Sequence, residues 1–216
     1  MDQFQDFQKA LGDGWESFFI MLSPKWQIPE NAIFFRKELG KMENCGGYWL
    51  SETPHIPGSV SWDSECIRFA NYIILNTKEG RFRLLNTHID HKSQLAQLKQ
   101  SEMLNEDADV WQSEMPQIMT GDFNCGFSNP AIQSLLSFWR DSYAEATGIC
   151  EERFTAHEFM GENLDPDHPL RKCGKIDWIF IQGKISCSFS RIIMDHQNTT
   201  DPSDHYFVVA DVTLKQ

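Results

Sequence analysis

Gln117-Ile-Met-Thr-Gly-Asp-Phe-Asn-Cys-Gly126 is the stretch on which the reading of this chain turns. Gln117 to Thr120 is a short, mostly apolar strand, and Gly121 stops it. Asp122 and Asn124 follow two residues apart, so an extended backbone points both side chains the same way. One offers a carboxylate that can bind a hard cation or orient a water; the other offers an amide that can donate to a phosphate oxygen. Gly, Asp and Asn are also common turn residues, and on its own the segment reads first as a strand ending in an Asx turn. The rest of the chain reverses that order.

Working outward, Phe82 to His88 reads as a strand running into Ile89-Asp90-His91, reached from Phe69–Leu75 through a turn at Lys78-Glu79-Gly80. Helical periodicity then starts at Gln94, with Leu95, Leu98, Met103 and Leu104 on one face, and a second helix covers Pro130 to Trp139. Ile176-Asp-Trp-Ile-Phe-Ile181 is a strand carrying one carboxylate among apolar residues. An unpaired buried charge is costly, so Asp177 requires a partner. Ser203-Asp-His-Tyr206 leads into a last strand, Phe207 to Val212.

Nearer the start, Phe4 to Leu11 has helical spacing, and Trp15–Leu22 and Glu30–Arg36 are candidate strands. Tyr48 to Gly58 is a Pro-rich loop, and residues 141–172 read as one long irregular loop. Many strands, few helices and polar strand ends predict an α/β fold with two packed sheets flanked by helices. No repeat or linker divides residues 1–216, so a single domain is expected.

The formal net charge of −12 argues against sequence-independent grip on a nucleic-acid backbone, which relies on clustered Lys and Arg. It leaves room for a metal-dependent enzyme, whose cation inverts the local charge logic. No stretch is long and apolar enough to span a bilayer, and the acidic N-terminus lacks a secretory pattern. Six scattered cysteines without a CxxC pair read as reduced thiols, so a cytoplasmic protein is expected.

The strand ends together supply Glu30, Arg68, Asn86, His88, Asp122, Asn124, Asp177, Asp204 and His205, an inventory suited to phosphoester hydrolysis. Asn86-Thr-His-Ile-Asp-His91, Thr120-Gly-Asp-Phe-Asn124, Lys175-Ile-Asp-Trp-Ile-Phe180 and Ser203-Asp-His-Tyr206 resemble, in order, the motifs of the endonuclease/exonuclease/phosphatase family. The resemblance implies a DNase I-like, four-layer α/β sandwich with the site at one rim of the paired sheets. It also implies a phosphodiesterase, nuclease or phosphatase using Mg²⁺ or Mn²⁺, with an activated water attacking in line. On that basis Asp122 aligns or deprotonates the water, Asn124 holds the phosphate, and Asp177 orients His205. Asp204, with Asp122, faces the metal. His88, supported by Glu30, donates to a non-bridging oxygen, and Arg68 and Asn86 meet the substrate. The expected substrate is a nucleotide, a short oligonucleotide, or a small or lipid phosphate; no obligate protein partner is evident.

One departure stands out. Family members begin with a strand carrying an Asn, then a Gln-Glu pair whose Glu is the principal metal ligand. This chain resembles them only from the following helix, so an N-terminally truncated member is expected. Two rival readings accompany this one. A scaffold that binds phosphorylated ligands without turnover would keep the same residues. A zinc hydrolase is suggested by His88-Ile-Asp-His91, but Asn86 stands where that pattern needs a histidine.

Overall fold

The computed structural model describes residues 2–25, 29–150, 153–196 and 201–215. Its centre is a six-stranded sheet of β3 (Gly40–Trp49), β4 (Phe69–Thr77), β5 (Arg81–His88), β6 (Gln117–Asp122), β8 (Asp177–Gln182) and β7 (Arg140–Asp141). The spatial order is β3-β4-β5-β6-β8-β7. Among the described residues only β5 and β6 run parallel, and α2 (Gln94–Trp111) makes the crossover such a pair requires. Ser93 caps α2, its hydroxyl accepting from the Ala96 N–H.

Strand alternation divides the chemistry between the two faces. Leu85, Met119, Trp178 and Phe180 point to one side, where they pack with Leu104 and Ala108 of α2 and Ile132 and Leu135 of α3 (Pro130–Leu136). Leu84, Ile118 and Ile181 point to the other, and on these strands Asn86, His88, Thr120, Asp122 and Asp177 share their parity. A carboxylate in the apolar run of β8 is thereby a rim residue on the second face.

That second face is covered by two separate ribbons. β1 (Trp15–Phe18) pairs with β2 (Ile33–Arg36), and β9 (Ile185–Ile193) with β10 (Phe207–Leu214). Phe82 and Leu84 of the sheet touch both, meeting Ile33 and Phe35 in one cluster and Ile185 and Val212 in the other. Among the described residues β2 and β10 each have one strand neighbour. Helix α1 (Asp2–Leu11) lies on the outside of the first ribbon, Phe4 against Phe19 and Phe34. Helices, sheet, ribbons and helix make the four layers expected from the motifs.

Local readings depart in four places. The strand at Trp15 is four residues long, and the 141–172 region contains α4 (Ser142–Thr147), a 3-10 turn at Gly161–Asn163 and α5 (Pro169–Cys173). The edge strands β3 and β9 lay outside the sequence reading altogether.

Candidate active site

Three strand ends meet in register at one rim. His88 closes β5, Asp122 closes β6 beside it, and Asp177 opens β8 on the far side. Close approach of β5 and β6 depends on Gly121, where a Cβ would lie 2.1 Å from the Thr87 carbonyl oxygen. His205 comes from the segment before β10, held by a bridge between Ala156 and His205. All four line a cavity of about 450 Å³ that also reaches Asn86, Thr120, Ile179 and Val208.

The four form two histidine–carboxylate pairs. His88 Nε2 lies 3.2 Å from Asp122 Oδ2, and His205 Nδ1 lies 2.9 Å from Asp177 Oδ2. The backbone N–H of Asn124 donates to Asp122 Oδ1 at 2.7 Å, with Asn124 in the left-handed region at φ 49°. Burial pushes the Asp122 carboxyl up, but the His88 hydrogen bond and charge, the Asn124 N–H and the His205 charge together hold it below the usual range. The Asp177 hydrogen bond raises His205 to about 9 against the opposing effect of burial. At neutral pH the rim therefore holds an ionised Asp122 and a protonated His205, whose Nδ1–H serves Asp177 and whose Nε2–H remains as a donor.

Thr155 fixes this arrangement and was missed by sequence reasoning. It is fully buried; its hydroxyl accepts from the N–H groups of Ile176 and Asp177 at 3.0 and 3.2 Å, and its carbonyl accepts from Tyr206 N–H at 2.8 Å. One residue, through its hydroxyl on one side and its carbonyl on the other, thus ties the Asp177 strand to the His205 segment. Its only trace in sequence is Phe154-Thr-Ala-His157, a short apolar-alternating run inside a polar stretch.

The remaining candidates lie at varied distances from the cavity. Asn86 lines it, accepting from Thr120 Oγ1 at 3.0 Å. Asn124 directs its amide N–H to the Ile89 carbonyl at 3.0 Å, so it braces the Asp122 loop. Asp204 is exposed; its carbonyl accepts from the N–H groups of His157 and Glu158, one residue from His205. Glu30 is half-buried with its carbonyl taken by Asn71, and the carboxylate paired with His88 is Asp122. Arg68 has the parity of Ala70 and so lies on the helix side of the sheet, where its guanidinium meets His91 Nδ1 at 3.2 Å. Cys125, next to Asn124, is no nucleophile: burial pushes its thiol up to about 12.

Asp122, Asp177 and His205 present ligand atoms within 4.8 Å of one another. A cation bridging all three would break the His205–Asp177 hydrogen bond and face a positive imidazolium. Asp122 can offer a hard carboxylate oxygen to a divalent cation without touching that pair, whereas Asp204 is exposed and belongs neither to that group nor to the cavity lining.

Neither the protein-family models nor the curated sequences give a match to this chain. Solved structures do. An endonuclease/exonuclease/phosphatase from Bacteroides vulgatus is 26% identical with a TM-score of 0.85, the match covering 99% of this chain and 81% of that one. A mannosyl-6-phosphatase from Bacteroides thetaiotaomicron is 24% identical with a TM-score of 0.82, covering 99% and 82%. The human Nocturnin catalytic domain, solved with a bound sulfate, is 18% identical with a TM-score of 0.70, covering 100% and 77%.

Proposed function

The chain has the fold of the endonuclease/exonuclease/phosphatase family, and on that premise we propose that it is a divalent-metal-dependent phosphoester hydrolase. The observation that carries this reading is the pair of histidine–carboxylate couples at one rim, His88–Asp122 and His205–Asp177. Their protonation states are complementary: Asp122 accepts, His205 donates.

In this reading Asp122 accepts a hydrogen bond from the attacking water and aims it at phosphorus. The His205 imidazolium, held in one tautomer by Asp177, donates from Nε2 to a non-bridging oxygen as negative charge builds there. His88 steadies the Asp122 carboxylate through the contact of its Nε2 with Oδ2. Asn86 bounds the cavity on the substrate side, and Asn124 keeps the Asp122 loop in place through its backbone N–H. Asp122 is the residue that would hold Mg²⁺ or Mn²⁺. When bound, such an ion polarises the phosphoryl oxygen and offsets its charge.

Candidate substrates are nucleotides, short oligonucleotides and small phosphate esters. The net charge of −12 disfavours long duplexes. No described helix is long and apolar enough to cross a membrane.

The test is hydrolysis of p-nitrophenyl phosphate and bis-p-nitrophenyl phosphate with Mg²⁺ or Mn²⁺ and with chelator. Metal-dependent release of nitrophenol that falls by about 10²–10⁴ in His205→Asn is the expected result. Absence of turnover on both esters, with phosphate binding retained, would establish the scaffold reading instead.

A further inference from the structure

Beside the catalytic cavity lies a second one of about 360 Å³, lined by Phe159, Met160, Glu162, Asn163, Met194, His196, Asp201 and Tyr206. Tyr206 lines both cavities and directly follows His205. One wall is a turn in an uncommon conformation. Glu158 and Phe159 are consecutive non-glycine residues in the left-handed region, at φ 50° and 60°. Such a conformation is unfavourable for a side chain with a Cβ and persists only where its surroundings enforce it.

The enforcement is visible. The N–H groups of His157 and Glu158 both donate to the Asp204 carbonyl, and buried His157 accepts from Gly161 N–H through Nδ1 at 3.2 Å. The outcome of that strain is that Phe159 is 61% exposed, one hydrogen-bonded link from the catalytic histidine segment. Burial alone would not select this turn.

The polar lining decides what the ring meets. Asp201 and Glu162 sit near the Tyr206 hydroxyl, whose proton they help retain after burial, the larger cause. Among the described residues neither carboxylate has a hydrogen-bond or ion-pair partner. Carboxylates accept only, so they repel a phosphate and take up O–H or N–H donors. A flat apolar ring beside free acceptors matches the C–H face and hydroxyl groups of a sugar.

Building on the phosphoesterase reading, we propose that this cavity is a subsite for the sugar part of a phosphosugar substrate. The ring C–H face lies on Phe159, and hydroxyl groups donate to Asp201 and Glu162. The phosphate, excluded by those carboxylates, is directed to His205 and His88 across Tyr206.

The test uses methyl α-D-glucopyranoside and adenosine, neither of which carries phosphate, in ligand-observed saturation-transfer NMR with the intact protein. The hexoside is expected to show transfer strongest at its ring C–H protons. Phe159→Ala and Asp201→Asn should each reduce that transfer at least fivefold, and Phe159→Tyr should retain it. Circular dichroism of each variant separates lost binding from lost folding. Adenosine binding without hexoside binding, or hexoside transfer unchanged in folded Phe159→Ala and Asp201→Asn, overturns the proposal. Because binding is read without turnover, the two readings fail separately. Hexoside binding with no ester hydrolysed would sink the catalytic assignment alone, and hydrolysis with no hexoside bound would sink this one alone.

Discussion

The His205–Asp177 couple is the residue on which pH acts most directly. His205 binds its proton more tightly in the folded protein, at about 9 against an ordinary 6.5. The stabilisation is therefore complete below pH 6.5 and disappears as pH rises through 9. A difference of that size corresponds to roughly 3 kcal/mol. Thermal melts across this window should show a falling midpoint in the wild type and a much flatter profile in Asp177→Asn. Turnover should keep an alkaline limb near 9 and lose it toward neutral pH in the same variant. A pH–rate profile unmoved by Asp177→Asn would mean that His205 does not donate in its protonated form. In a double-mutant cycle, His205→Ala and Asp177→Ala should each cost most of the rate, and the pair little more, because residues that act as a unit are non-additive.

Much at this scale was legible beforehand. An aspartate inside Ile176–Ile181 demands a partner by its desolvation cost alone, and His205 meets that demand. Thr155 was not legible, since it acts by accepting N–H groups from a segment more than twenty residues away. No local pattern encodes that. Arg68 looked free to meet a phosphate, but strand parity with Ala70 turns it to the helix side. Parity becomes readable only once the register is known.

At the scale of elements, the start of β8 is what holds the rim together. Lys175, just before it, is almost fully buried and reaches both oxygens of buried Asp141 at 3.0 and 2.9 Å, with its ammonium 4.0 Å above the Trp178 ring. Asp141 also caps α4. Breaking such a pair on one side leaves a buried charge uncompensated, at a cost of about 3–5 kcal/mol. Asp141→Ala should lower stability by that order in urea titration, and should weaken turnover at temperatures where the fold remains intact, because Asp177 moves with Lys175. Of the elements, β5, β6 and β8 announced themselves through their apolar strand patterns. Helix α2 was placed correctly, but it buries Ala96, Gln97, Gln100, Ser101, Leu104 and Ala108 and leaves Leu95 exposed, so the face read from Leu95 and Leu98 was not the one that packs. β3 did not announce itself, because Gly40-Lys-Met-Glu-Asn-Cys-Gly-Gly47 is an edge strand with little apolar alternation. β9 is Ser-rich on its outward positions and was equally silent.

For the molecule as a whole, the four layers followed from motif order, whereas the division of the second face into two ribbons did not. That division concerns contacts among segments far apart in sequence, with Phe82 and Leu84 shared between clusters. It has a consequence for behaviour in solution. Among the described residues β2 and β10 each have one edge whose main-chain donors and acceptors have no strand beside them. Such an edge is a template for any extended backbone, and Phe207 at the mouth of β10 is 52% exposed. The protein should therefore become turbid as it is concentrated, with sedimentation velocity showing mass that grows with loading. Val209→Lys, a charge on the outward side of β10, should suppress that growth while leaving the melting midpoint within a few degrees. Mass independent of concentration in the wild type would show these edges to be closed. The same open backbone that borders the catalytic cavity thus sets the practical limit on how concentrated a stock of this protein can be kept.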